Sequence, residues 1–516
     1  MKKQIFVCTC LLLALNASQV QAQTTQEAYV KASTVDRLDG FGQCISLSGN
    51  TKVVTALGED SGATGINGDQ SDSSGNGSGA AYVFVRDANG SWTQQAYLKA
   101  SNNEARDNFG FSCAIDGDTL VIGSRWEDSN ARGANGDQSD NSSFHPGAAY
   151  VFVRSGTTWT QQAYLKASNT PPFDDGFDNG DSFGVAVAID GDTIVVGAPY
   201  EDSGSRGVNG DGENNDVWDS GAAYVFTRNG TTWSEQAYLK QSNTGITDDR
   251  GARDVFGLSV SVSGDTIAVG AAGEDSASTG INGEQFNNDA VSSGAVYVFT
   301  RSGTAWSQEA YIKGDVAEVG DTFGNVVKVD GNTLAIAVSH EDSNETGVNT
   351  PNAEINNASR NSGAVYVYER DSNSTWVRQA FIKASNTLVY RDANIGSDNF
   401  GVSLGLFGDR LVVGATGEDS DAVGVNNGDG MNDNTYNTGA AYVFTRSGST
   451  WSQESYLKAS NPDELDFFGV SVAISGDLIA VGSRSEESSS TGVNGDQSDN
   501  SLDTAGAVYV FNTGGE

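Results

Sequence analysis

Apolar and polar positions along the chain alternate with a period of two, and the alternation restarts about every 70 residues. One unit, starting at Phe183, reads as four strands. Phe183-Gly184-Val185-Ala186-Val187-Ala188-Ile189 alternates small and branched residues, and Thr193 to Ala198 is a compact β-branched run. Gly221 to Arg228 and Trp233 to Lys240 supply the third and fourth. β-Branched and aromatic residues at period two, cut by Gly, Asn and Asp, are a strand signature, and no segment sustains a helical period. The pattern predicts an all-β chain.

The Phe-Gly pair that opens each unit recurs at Phe41-Gly42, Phe109-Gly110, Phe183-Gly184, Phe256-Gly257, Phe323-Gly324, Phe400-Gly401 and Phe468-Gly469. First and second strands are joined by Gly-Asp or Gly-Asn, as at Gly191-Asp192 and Gly331-Asn332, which suits a tight hairpin. Third and fourth strands are joined by short Gly-containing turns such as Asn229-Gly230. Between second and third strands lies a loop of 18 residues in five units and of 19 and 20 in the others. A floppy loop of that length drifts in size, so near-constant length predicts an ordered one. Hairpin-linked strands alternate direction. The tight turns therefore share one face, and the long Asp-, Asn-, Ser- and Gly-rich loops share the other, the loop face.

The unit that starts at Phe468 lacks a fourth strand, and its counterpart stands at the beginning of the chain. Glu27-Ala28-Tyr29-Val30-Lys31-Ala32-Ser33 matches Gln95-Ala96-Tyr97-Leu98-Lys99-Ala100-Ser101, with Thr24 where the other units carry Trp. A ring closed by its N-terminal strand has no free edge, and radial repetition of four-stranded sheets is the propeller plan. The expectation is one seven-bladed β-propeller over residues 23–516, preceded by a signal peptide at 1–22. Lys2 and Lys3 form the basic start of that leader, Ile5 to Leu15 its apolar run, and Val20-Gln21-Ala22 its cleavage site. The run is too short to span a bilayer. An exported monomer follows, at the cell surface, outside it or in the periplasm, with no membrane insertion.

The formal charge is −38, and −40 once Lys2 and Lys3 are removed. Such a field repels nucleic acid and anionic membrane surfaces, which excludes both as partners, and it draws cations.

Phe-Gly followed by a Gly-Ala-Pro strand end, best seen as Phe183-Gly184 with Gly197-Ala198-Pro199, resembles the FG-GAP repeat of integrin α-chain propellers and of bacterial secreted proteins. The resemblance covers about Glu27 to Phe511. It implies a seven-bladed propeller that binds a protein or carbohydrate ligand on a surface, often with calcium and in adhesion. Integrin-type blades hold calcium in an Asp-rich loop between first and second strands. Here that turn is only Gly-Asp, and the integrin site does not carry over.

Three sets of residues are candidates for chemistry. The first is acidic. A Glu-Asp pair follows the second strand at Glu59-Asp60, Glu127-Asp128, Glu201-Asp202, Glu274-Asp275, Glu341-Asp342 and Glu418-Asp419, with Glu486-Glu487 in the last unit. Further acids follow Asn-Gly in most loops: Asp69 and Asp72, Asp137 and Asp140, Asp211, Asp429, Asp496 and Asp499. Calcium takes six to eight oxygens, and Gly permits the sharp turn such a loop needs. Either these carboxylates fold inward around Ca2+, or they splay into solvent in Asx turns. The second set is aromatic. Trp126 and Tyr200 precede that pair in adjacent units, with Phe144 and Trp218 in the same loops, placed to stack on a sugar or anchor a protein, or to pack the loops. The third is Cys44 and Cys113, which have opposite parity on neighbouring first strands and suit either a disulfide after export or two buried thiols.

Asp39, Asp107, Asp181, Asp254, Asp321, Asp398 and Asp466, each two residues before a Phe, are expected to fix the turn into the strand. Catalysis is not expected. His145 and His340 are the only histidines and stand in unlike settings, and no Ser/His/Asp, Cys/His or zinc spacing appears. A glycosidase-like carboxylate pair is the one enzymatic alternative, and a calcium-binding structural component the other.

Overall fold

The computed structural model describes residues 23–170, 180–244, 253–387, 397–427, 430, 432 and 434–514, so the leader at 1–22 lies outside it. Seven four-stranded antiparallel sheets form a β-propeller. Blade 2 is representative, with Phe109–Asp116, Thr119–Ser124, Ala148–Ser155 and Thr158–Leu165 paired in chain order. The first strands of successive blades pack on one another around the axis, and blade 7 packs on blade 1. Blade 7 takes its outer strand from the other end of the chain: Thr25–Val30 pairs with Ala507–Asn512, Tyr29 opposite Tyr509. At the place of the missing Trp, the buried Thr24 hydroxyl meets Ser455 Oγ at 3.0 Å. The one helical turn among the described residues is Ala353–Ile355, in the loop of blade 5 that lacks the Asn-Gly-Asp sequence. No described helix is long and apolar enough to cross a membrane.

Between blades sit the Phe-Gly pairs. Phe183 is buried among Val151 and Leu165 of blade 2 and Tyr224 and Phe226 of blade 3. Its ring meets that of Tyr224 edge-on, with centroids 5.4 Å apart. The glycine is obligatory because the backbone there adopts φ near +93° at Gly257, where a Cβ would lie 2.2 Å from the Ala222 carbonyl oxygen. Side chains on the first strands stitch neighbours together. The Ser112 hydroxyl donates to the Gly184 carbonyl, and the Gly117 N–H donates to Ser48 Oγ. At the same level Cys44 of blade 1 and Cys113 of blade 2 are joined as a disulfide, with Cα atoms 6.0 Å apart.

A clasp on the tight-turn face repeats the stitching outside. The Trp that opens a fourth strand is buried, and all but Trp376 donate Nε1–H to the preceding blade, as Trp159 does to Gln95 Oε1 at 2.9 Å. Arg154 lies over that Trp ring and also donates to Asp118 of its own blade and Thr51 of the one before. One scaffold position breaks the pattern. Where other blades place Leu120, Ile194, Ile267, Leu334, Leu411 and Ile479, blade 1 buries Lys52. Its ammonium has no hydrogen-bond partner and sits 4.0 Å from the centre of the Trp92 ring, so burial drives its pKa well below the ordinary lysine value.

Candidate functional site

The described residues of the long loops are pinned, in keeping with their near-constant length, by an Asn at one position of each loop. Asn67 turns the chain through φ +55°, its N–H donates to the Tyr97 carbonyl, and its side-chain Oδ1 accepts the Tyr97 N–H. The amide side chain thus acts as an extra rung and pins the loop to the fourth strand of its own blade. The same arrangement recurs at Asn135, Asn209, Asn282 and Asn426.

The paired acids at the loop start have separate tasks, and the glutamates do not face the loop. All seven are buried, each against a lysine from the end of the fourth strand. The pairs are Glu59–Lys99, Glu127–Lys166, Glu201–Lys240, Glu274–Lys313, Glu418–Lys458 and Glu486–Lys31 at 2.6–2.8 Å, together with Glu341–Lys383. In six blades a tyrosine hydroxyl donates to the same carboxylate, as Tyr164 does to Glu127 Oε1 at 2.7 Å. Blade 5 has Phe381 in that place. The second acid of the pair closes the loop. Asp60 Oδ1 accepts the Gly77 N–H, Asp128 that of His145, Asp202 that of Asp219 and Asp419 that of Asn437. Glu487 stands in for this Asp in blade 7.

The acids after Asn-Gly cap short turns. Asp69 accepts from Ser71, Asp72 from Ser74 and Gly62, Asp137 from Ser139, and Asp140 from Ser142. Asp211 accepts from Glu213, Asp496 from Ser498, and Asp499 from Ser489 and Ser501. Asp429 lies outside the described residues. Among the described residues no three His, Cys, Asp or Glu side chains gather into a group that would hold a metal ion. The glutamates of this set pair with buried ammonium groups, and its described aspartates accept backbone N–H groups.

Beside each Glu–Lys pair lies the Asp that precedes the Phe. Asp39, Asp107 and Asp466 are buried and accept the backbone N–H of Asp36, Glu104 and Asp463, which is the turn-fixing role expected for them. Burial, reinforced by the neighbouring glutamate, pushes Asp39 up to about 7 and Asp107 and Asp466 up to about 8. Asp254 rises to about 7 and Asp321 to about 8, again chiefly through burial.

The aromatic candidates divide. Trp126, Phe144 and Tyr200 come together in a cleft of about 320 Å³ with Arg125, His145, Ser182 and Arg253. It crosses from blade 2 through blade 3 to the first residues of blade 4. Trp218 is 64% exposed and lies outside it. His145 stacks against Trp126 at 5.3 Å and against Phe144 at 3.8 Å between ring centroids. The Arg125 guanidinium carbon lies 4.0 Å from the centre of the Phe111 ring and 4.3 Å from that of Trp126, and Nε–H donates to Asn108 Oδ1 at 3.2 Å. The Ser182 N–H donates to the His145 carbonyl, which fixes the loop end of blade 2 on blade 3. Sequence reasoning missed Arg125, His145 and Arg253. Arg125 and Arg253 each have a single counterpart in the repeat, Arg484 and Arg106, and only the ring curvature brings residue 125 near residue 253.

The FG-GAP repeat model matches residues 92–152, 159–226, 233–299 and 451–511. Each match runs from the Trp of one fourth strand to a Phe of the next third strand, one strand out of phase with the blades, the same offset that closes the ring. No curated protein matches the chain.

Proposed function

The chain belongs to the FG-GAP repeat family, and on that premise we propose that it is an exported, non-enzymatic propeller that binds a glycan or protein partner through its loop face. The observation that carries this reading is the cleft around Trp126 and Tyr200. At the position of these two rings, blades 1, 4 and 6 have Gly58, Gly273 and Gly417. A scaffold needs only the glycine there, so the rings and guanidinium groups of blades 2 to 4 serve something other than the ring itself. Recognition sites concentrate aromatic and Arg side chains in this way. The Cys44–Cys113 bond suits an oxidising compartment and supports export.

Calcium is not part of this reading, since the acids are otherwise employed. The test is a glycan and cell-surface binding screen with the wild type, Trp126→Ala and Tyr200→Ala, each with and without EDTA. Binding that falls at least about tenfold in both variants and ignores EDTA is the expected outcome. Binding lost with EDTA but indifferent to Trp126 would move the function to the acidic loops, and turnover of a bound saccharide would make the protein an enzyme.

A further inference from the structure

The cleft has a chemical bias that the rest of the molecule lacks. The chain carries 67 acidic residues against 29 lysines and arginines, yet among the described residues no Asp or Glu lines this cleft. Its polar contributions are the Arg125 and Arg253 guanidinium groups, the Ser182 and Tyr200 hydroxyls and the His145 ring. Arg253 is already paired with Asp219 at 2.6 Å. Arg125 has no carboxylate partner, although the protein pairs most of its other cations: each repeated lysine has its glutamate, and Arg154, Arg228, Arg301 and Arg446 each have an aspartate. Contacts with two rings and a hydrogen bond to Asn108 hold Arg125 in place before any ligand arrives. A rigid guanidinium presents a fork that matches the two oxygens of a carboxylate.

Resting on the glycan reading above, we propose that this cleft is the receptor for an acidic sugar, whose anionic group pairs with Arg125 while its ring lies on Trp126 or Tyr200. A peptide fits less well. The described lining offers no carboxylate to receive peptide ammonium groups, and a wall made of donors and ring faces suits a ligand rich in oxygen. The surrounding negative field disfavours a polyanion, so the ligand is a single charged sugar on an otherwise neutral chain. A carboxylate and a sulfate ester share the required chemistry.

Calorimetric titration of the full chain tests this with four probes: a disaccharide ending in glucuronate, its carboxyl-reduced neutral counterpart, a sulfated counterpart, and an acidic peptide. The glucuronate or the sulfated probe should bind about tenfold or more tighter than the neutral one, the effect of one charge-assisted hydrogen bond. Arg125→Gln should abolish that preference, and Arg125→Lys, which keeps the charge without the fork, should restore part of it. Near-ultraviolet circular dichroism checks that both variants remain folded. Which anionic probe binds tighter identifies the charged group. Equal binding of acidic and neutral sugars, unchanged in Arg125→Gln, overturns the anion receptor and leaves glycan binding standing. Binding of the acidic peptide alone overturns the sugar and leaves a protein partner. If no probe binds and Trp126→Ala has no effect in the surface screen, both readings fall together.

Discussion

Two of the places where this propeller sets cations beside aromatic rings are opposites. The Glu–Lys nodes occur seven times, are sealed from water, and satisfy the charge of every ammonium group. The cleft of blades 2 to 4 occurs once, is open, and leaves the Arg125 guanidinium without a carboxylate. Breaking a buried pair by removing one partner leaves an uncompensated charge, so each node holds second, third and fourth strands in one arrangement. The cleft adds only local ties between neighbouring blades, from Ser182 to His145 and from Arg253 to Asp219. In a repeat protein the features that recur describe the scaffold, and a departure from them marks where selection has acted on one blade for another purpose.

The contrast can be broken most forcefully with pH, because pH acts on many nodes at once. Asp39, Asp107, Asp254, Asp321 and Asp466 bind protons more tightly in the folded chain, with values raised to about 7 or 8. A raised pKa means that the folded state carries more protons than the unfolded one. The stability these groups contribute is complete below the ordinary carboxylate range and is lost as pH rises through 7 to 8. Thermal unfolding should therefore occur at higher temperature at pH 5.5 than at pH 8.5, and a flat or reversed profile would show that the nodes do not hold protonated aspartates.

The next effect in size comes from a single node. Lys166→Ala strands the Glu127 carboxylate in the interior and is expected to cost about 3–5 kcal/mol in denaturant unfolding. A loss below about 1 kcal/mol would mean that water reaches the site. Lys52→Leu should act in the other direction. It installs the apolar residue that six blades already use and removes an unpaired buried ammonium, a gain of about 1–3 kcal/mol. Smallest is Trp218→Ala. That ring is 64% exposed and belongs to neither place, so stability should stay within about 0.5 kcal/mol. If saccharide binding also falls in this variant, the binding surface extends beyond the cleft into the loop of blade 3.

The ring was legible in the sequence because its causes are local. Glycine at Gly257, two-residue turns at Gly191-Asp192 and the displaced strand at Glu27 each leave a signature within a few residues. The role of the acids was not. Glu127 and Asp128 are adjacent and look like one acidic unit, but the chain sends the first into the blade and the second along the loop. The missing signal was on another strand. A lysine stands two residues after the tyrosine in six units, and after Phe381 in the remaining one, in a chain that is poor in basic residues. A costly cation kept at one register calls for a buried anion within reach. The cleft left a weaker trace still, since His145 and Arg253 acquire meaning only through blade curvature.

The outer strand of blade 7 has a temporal consequence. Glu27 and Asn512, 485 residues apart in sequence, share a hydrogen bond in one sheet. Thr25–Val30 can pair only once Ala507–Asn512 has been made, and any six blades folded before then would form an open arc with a bare strand at one end. Such an arc exposes a sheet edge to any neighbour. The acidic surface would oppose such pairing, because like-charged arcs repel one another.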